Sequence, residues 1–349
     1  MSVEEAIVAV PTRSDSGDAE TGLVADIGGT HARFATVALG SKRVSNIRQY
    51  NVRDFSSLED ALTQYRSSTP DVPESIRYAA LAVATRLDGD RVHITNNPWI
   101  FSIASLRSSH GFERTLVLND LAAVGYTVPT LDPNEVRAVG PKRMSRPLED
   151  GVYAVVGVGT GLGVCGMIME SGTCRVLASE GGHIAFAPID APSVQVLKWL
   201  AKSHQRVSAE RVVSGQGLEA IHAALEMRDG RAASGLTAEQ ITAGARDGSN
   251  VSCVETVDVF CRCLGAFAGD AVLMFGAWRG VFLSGSMLQH VDAERFARQV
   301  RASFEAKGRF SDDLQAVPIE LITRSDTGLI GAATLLSAET AGSVRTAAS

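Results

Sequence analysis

Glu180 and His183 flank the pair Gly181-Gly182. The glycines allow backbone to come close to a ligand, while the side chains offer an acceptor and a switchable donor. Adjacent sugar hydroxyls need such bidentate partners; the plain alternative is a solvated Glu and a structural His. Asn119-Asp120 follow the apolar run Thr115-Leu-Val-Leu118, where a strand meets the next helix. Asp is a favoured helix N-cap. A carboxylate at the carboxyl end of a strand also faces a ligand crevice, where it can accept the proton of an attacking hydroxyl. Asn119 either stabilises the turn or spends its amide, donor and acceptor at once, on a hydroxyl.

Two glycine turns supply a second kind of chemistry. Leu23-Val-Ala25-Asp26 enters Ile27-Gly28-Gly29-Thr30, and Arg33 to Val37 leave it. Val155, Val156 and Val158 enter Gly159-Thr160-Gly161-Leu162-Gly163, and Val164 to Met169 leave. Glycines at φ > 0 would converge several N–H groups on one phosphate oxygen. Thr30 and Thr160 add hydroxyl donors. Two such turns, each with a threonine, suggest a duplicated scaffold gripping a polyphosphate from both sides. Asp26 is a turn former or, beside a triphosphate, an acid for Mg²⁺ held through water, because magnesium gives up its waters reluctantly. Arg33 reads as surface-solvated, with a structural or phosphate role open.

Two other phosphate motifs are excluded. No G-x-x-x-x-G-K-[ST] occurs in the chain. Gly161-Leu-Gly163-Val-Cys-Gly166 matches G-x-G-x-x-G, but a dinucleotide fingerprint opens a helix, and Val164 to Met169 read as a strand.

The elements that position these residues alternate in type. Ser56-Ser57-Leu58-Glu59 predicts a capping box opening a helix with Leu58, Leu62 and Tyr65 on one face. Tyr78 to Val83, Val92 to Asn96 and Thr115 to Leu118 read as strands, Ser102 to His110 as a helix stopped by Gly111, and Leu121 to Tyr126 as another. Residues 131–150 lack a period, and a domain boundary is placed near their start. Beyond the second hairpin, helices are expected at about 190–205, 209–213 and 217–228, after Thr237, and at 253–277. Strands Gly280 to Ser284 and Val317 to Thr323 precede a last helix, Gly328 to Ser337. The pattern predicts two α/β domains with a cleft between them.

Bulk properties narrow the function classes. The net charge is −6, from 33 basic and 39 acidic residues, with no long Lys/Arg run, which argues against nucleic acid as the main partner. Residues 151–169 are apolar enough to suggest a membrane span, but their glycines and strand–turn–strand pattern argue against one. The five cysteines contain no C-x-x-C pair, fit free thiols in a reducing cytoplasm and offer no metal-site spacing. The acidic N-terminus is not an export signal, and residues 1–20 are read as dispensable because their composition cannot bury a core.

With these residues on the page, the chain resembles the bacterial glucokinases of the hexokinase–actin–chaperone-ATPase superfamily. The matching motifs run in family order: ADIGGTHAR (25–33), LVLNDLAAVGYTVP (116–129), GTGLGV (159–164), EGGHIAFAP (180–188), SAERVVSGQGLEAIH (208–222), EAKGRFSDDL (305–314) and GLIGAA (328–333). Glucokinases without the zinc-binding cysteine cluster are the closer match. His31, Ala185 and Ser286 depart from the usual family residues.

The resemblance implies a ribonuclease-H-like (actin/hexokinase type) fold with an interdomain cleft. Its expected division is a disordered tail over 1–22, a small α/β domain over 23–130 plus about 324–338, a large one over 131–323, and a frayed tail over 339–349. It implies ATP-dependent phosphorylation of glucose at the 6-hydroxyl, with another hexose or an N-acetylated amino sugar as the rival substrate. A non-catalytic sugar sensor would need a helix-turn-helix arm that residues 1–22 are too short and acidic to supply. Asp120 becomes the catalytic base, and Asn119, Asp120, Glu180, His183 and Glu210 the sugar ligands. Glu210 on spacing alone reads only as an acid favourable to a helix dipole. ATP is expected at Ala25, Asp26, Ile27, Gly28, Gly29, Thr30, Gly159, Thr160, Gly161, Gly285 and Ser286, with Mg²⁺ at Asp26. A cytoplasmic enzyme needing neither membrane nor nucleic acid follows, with a homodimer left open.

Overall fold

The computed structural model describes residues 6–9, 20–41, 43–246, 248, 250–342 and 345–346. The strands are β1 (Ala6–Ala9), β2 (Thr21–Ile27), β3 (His31–Ala38), β4 (Val44–Asn51), β5 (Tyr78–Val83), β6 (Arg91–His93), β7 (Ile100–Ser102), β8 (Arg114–Asn119), β9 (Val136–Ala138), β10 (Gly151–Val158), β11 (Leu162–Glu170), β12 (Thr173–Ser179), β13 (Gly280–Ser284), β14 (Ile319–Ile322) and β15 (Arg345–Thr346). The α-helices are α1 (Leu58–Ser68), α2 (Ile103–His110), α3 (Asp120–Thr127), α4 (Ala191–Leu200), α5 (Gly215–Arg228), α6 (Ala238–Arg246), α7 (Val251–Phe275), α8 (Ser286–Gln289), α9 (Ala293–Glu305), α10 (Ser311–Ala316) and α11 (Thr327–Thr340). They form two compact units, one of residues 1–131, 167–178 and 326–349, the other of residues 132–166 and 179–325.

The first unit is built on a five-stranded sheet of order β4-β3-β2-β5-β8. β2 pairs antiparallel with β3, while β2, β5 and β8 run parallel. Parallel strands are covered on both faces, which is why β5 and most of β8 are continuous buried runs. α11 is buried from Thr327 to Ala338, as a helix apolar on all sides must be. On the other face Leu58, Leu62 and Tyr65 of α1 join Leu23, Ile27, Phe34 and Trp99 in one core cluster. The helix cap lies one residue later than the capping-box pattern suggested: Ser57 caps α1 by accepting from the Asp60 N–H, while Ser56 donates to the Asp60 carboxylate.

In the second unit β10 runs parallel to β13 and β13 to β14, and β9 closes antiparallel on β14. The helices of this unit, above all the 25-residue α7, build a continuous core with β10, β13 and β14. The region expected as a helix at 209–213 is a single 3₁₀ turn, Ala209–Arg211. Strand β9 lies inside the segment taken as aperiodic, and α9 and α10 fill a stretch left without elements.

The terminal tails need correction where they are described. Ala6–Ala9 form a strand antiparallel to β12, Ala6 and Val8 are buried, and the Tyr126 hydroxyl donates to the Ala6 carbonyl at 2.8 Å. β15 pairs with β1, and α11 continues to Thr340. Residues 1–5, 10–19, 343–344 and 347–349 of the expected tails lie outside the described residues. The apolar run Ala6 to Val10, closed by Pro11, is too short to read as a core strand, yet pairing between β12 and β15 suffices to bury alternate side chains. Deleting residues 1–9 is therefore expected to lower the melting temperature, by about 5 °C if the loss is mainly the buried valine. An unchanged melting curve would mean that β1 contributes nothing to stability.

Candidate active site

The first unit gathers its candidate residues at the carboxyl ends of its parallel strands. The register aligns Ile27 with Val83 and Val83 with Asn119, so β2, β5 and β8 end in one row. Gly28, Gly29 and Thr30 turn directly beyond β2. The turn is held by Gly28 N donating to His31 O at 2.9 Å, by the Asn97 amide donating to Gly28 O at 2.8 Å, and by Val52 N donating to Thr30 O at 2.9 Å. Its anchoring by Asn97 was not visible in the sequence pattern.

Asn119, not Asp120, caps α3. The Asn119 side-chain oxygen accepts from Leu121 N and Ala122 N at 3.0 and 3.2 Å, and its amide donates to Thr85 O at 3.3 Å. Asp120 is the first residue of the helix, half-buried, with Oδ1 accepting from Leu121 N at 2.8 Å. The N-cap reading of Asp120 thus belongs to its neighbour, and the amide of Asn119 already has backbone partners.

Asp26 lies one residue before the end of β2, opposite Arg33 in the hairpin, with their charged groups 3.9 Å apart. Its side chain is 23% exposed. Burial holds its carboxyl above the usual carboxylate range, against a smaller lowering by Arg33. Gly328, in the first turn of α11, leaves the space the carboxylate uses: a Cβ there would lie 2.7 Å from Asp26 Cγ. A half-buried carboxylate whose guanidinium partner stands 3.9 Å away fits a hard divalent ion carrying its own waters.

In the second unit the β10–β11 turn is closed by Gly159 N donating to Gly161 O at 2.9 Å. Gly215 N, at the start of α5, donates to Gly159 O at 2.9 Å. The sequence reading did not single out this helix start. β10 and β13 are in register at Gly157 and Ser284, so Gly285 follows beside the same turn. Gly285 has φ 147°, and a Cβ there would come within 2.1 Å of Val158 O, so no other residue fits. Ser286 opens α8.

The reason for the turn glycines differs from the one expected. None of Gly28, Gly29, Gly159 or Gly161 has positive φ. Close approach is the actual constraint at Gly161, where a Cβ would sit 2.5 Å from Glu210 Oε2. Gly182 is tighter, 1.8 Å from Leu162 O. At Gly159 no protein atom lies within 4 Å of such a Cβ.

Glu180, His183 and Glu210 come together. His183 Nε2 is 3.8 Å from Glu180 Oε2, and Nδ1 is 3.8 Å from Glu210 Oε1. The 3₁₀ turn Gly181–His183 produces this, with His183 N donating to Glu180 O at 3.0 Å. Ala209 N donates to Ile184 O at 2.9 Å and brings Glu210 alongside. Glu210 Oε2 also accepts from Leu162 N at 3.1 Å, so one carboxylate touches both the histidine cluster and the glycine turn. That link crosses 48 residues of sequence and no local pattern encodes it.

Among the described residues no helix is long and apolar enough to cross a membrane. The Glucokinase family model matches residues 23–339. The Glucokinase of Caulobacter sp. (strain K31) is 39% identical over 318 residues, covering 89% of this chain and 94% of that one. The crystal structure of glucokinase from an Antarctic psychrotroph superposes with a TM-score of 0.79 at 35% identity, covering 91% and 99%. A ROK family glucokinase from Streptomyces griseus, crystallised with glucose and AMPPNP, shares the fold at 18% identity, with a TM-score of 0.62 and coverage of 90% and 99%. With a family model matched over residues 23–339 and a 39% identical glucokinase covered over 94% of its length, this chain belongs to the glucokinase family and is a glucokinase.

Proposed function

We propose that Asp120 is the base of the reaction and that Asn119, Asp120, Glu180, His183 and Glu210 take the hydroxyls of glucose. The 6-hydroxyl oxygen attacks the γ-phosphorus of ATP, its proton passes to Asp120, and the bond to the ADP oxygen breaks, giving glucose 6-phosphate and ADP. Phosphoryl transfer asks mainly for positioning and charge stabilisation. The observation that carries this reading is the row formed by Ile27, Val83 and Asn119, which sets a phosphate-type turn and a helix-opening carboxylate at one edge of one sheet. Ligands in parallel α/β sheets bind at that edge.

The residues assigned to the nucleotide are Ala25, Asp26, Ile27, Gly28, Gly29 and Thr30, together with Gly159, Thr160, Gly161, Gly285 and Ser286. Asp26 would hold Mg²⁺ through water, and the ion would supply charge neutralisation on the phosphates. Among the sugar ligands the two flanking acids of His183 supply acceptors, and the imidazole a donor.

Gly159 gives the test of the nucleotide half. Because the protein itself leaves a Cβ there unopposed, Gly159→Ala should fold with a nearly unchanged melting temperature. If the turn cradles phosphate by backbone contact, the added methyl should raise the KM for ATP about ten-fold, a misfit of roughly the size that displaced substrate contacts produce. Steady-state rates against ATP at saturating glucose decide it. A KM equal to that of the parent would remove Gly159 from the phosphate site.

A further inference from the structure

The row of strand ends fixes backbone positions, but it fixes neither the direction of the Asp26 side chain nor the seating of α3 above the sheet. Asp26 and α3 both lie against α11. Its first turn places Gly328 against the Asp26 carboxylate, where a Cβ would lie 2.7 Å from Cγ and 2.9 Å from each oxygen. Three residues on, Gly331 meets α3: a Cβ there would fall 1.7 Å from Ala123 O, a backbone atom that cannot yield cheaply. Residues three apart lie on nearly the same face of a helix, so one side of α11 reads both neighbours.

A side-chain clasp locks the same crossing. Thr127 Oγ1, fully buried, donates to Thr327 O at 2.5 Å and lies 3.1 Å from Ala123 O. α11 has little freedom to shift, since it is buried from Thr327 to Ala338 and Leu336 packs so tightly on β2 that a Cβ at Gly22 would be 2.7 Å from it.

We infer that α11 is the spacer of the reaction centre: Gly328 leaves the room that aims Asp26, and Gly331 with the Thr127 clasp seats the helix that opens with Asp120. The inference rests on the roles proposed above for Asp26 and Asp120. Gly328, Gly331 and Thr127 are positioning residues, since none carries a group that reaches a substrate in the chemistry. Errors of about 1 Å in such positioning can cost up to about 10²-fold in rate.

The test uses Gly328→Ala, whose methyl meets first the end of a short side chain, Asp26, and so should displace the carboxylate without unfolding the unit. Calorimetry without glucose is expected to give about ten-fold weaker binding of Mg·ATP, with metal-free ATP and, separately, glucose within about two-fold of the parent. Thr127→Val keeps the shape but removes the clasp. It is expected to lower kcat about ten-fold with Mg·ATP binding kept, and Thr127→Ser to restore kcat. Asp26→Asn separates the two levels of the argument. Mg·ATP binding unchanged in Asp26→Asn contradicts the metal role of Asp26 and the inference with it. Binding weakened in Asp26→Asn but unchanged in Gly328→Ala overturns the spacer alone. Equal weakening of Mg·ATP and glucose in Gly328→Ala also overturns it, as general damage rather than aim.

Discussion

Asp120→Asn is expected to lower kcat by at least about 10²-fold while glucose binding stays measurable by calorimetry. The substitution preserves size and an oxygen acceptor for Leu121 N, the contact Asp120 makes in the first turn of α3. It leaves the helix cap untouched, because Asn119 supplies that cap. What it removes is the capacity to take a proton. General-base contributions run to about 10⁴-fold, and a loose phosphoryl-transfer transition state favours the lower part of the range. A kcat near that of the parent would reduce Asp120 to a structural residue and make Glu180 the next base to test.

Glu210→Ala is expected to damage both substrates at once. Its carboxylate approaches His183 with one oxygen and accepts from Leu162 N with the other. On the assignment proposed above, removing it leaves a sugar hydroxyl without its charged acceptor; it also frees Leu162 N at the mouth of the β10–β11 turn. Charge-assisted hydrogen bonds are roughly twice as strong as neutral ones, so kcat/KM for glucose should fall about 10²-fold. The KM for ATP should rise as well, a few-fold by the loss of one neutral-donor contact that orders the turn. Separate saturation curves for the two substrates check this. An effect confined to glucose would mean that the Leu162 contact does not hold the nucleotide turn.

Much of this was legible in the sequence for identifiable reasons. The two hairpins showed themselves because apolar runs of strand length were punctuated by glycines, and both turns fall where that pattern puts them. α2 ends at Gly111, which has φ 71°, as a left-handed C-cap should. Helices were expected at 217–228, 253–277 and 328–337, and α5, α7 and α11 fall on those stretches.

What was missed divides by physical cause. α9 is amphipathic, with Phe296, Val300 and Phe304 at four-residue steps, and that signal was present but unused. β1 and β9 are three or four residues long, too short for any period to stand out. The cap on α3 could not be assigned between adjacent Asn and Asp, since both residue types cap well. The turn glycines were correctly located but wrongly explained: a tertiary neighbour, Glu210, and not local φ excludes a side chain at Gly161. Likewise the contacts of Gly328 and Gly331 join parts of the chain roughly 200 to 300 residues apart, which no local pattern encodes. Within each unit the site residues were chosen by type, and the packing that aims them became visible only in three dimensions.

Initial rates with ATP and Mg²⁺ over glucose, galactose, mannose and N-acetylglucosamine test the central claim most directly. A site that hydrogen-bonds each hydroxyl can reject an inverted or replaced one by as much as about 10⁴-fold, because a buried acceptor is left unpaired. The account predicts clear preference in kcat/KM for glucose over galactose and N-acetylglucosamine, with glucose 6-phosphate as product. Equal or faster turnover of either competitor would contradict it.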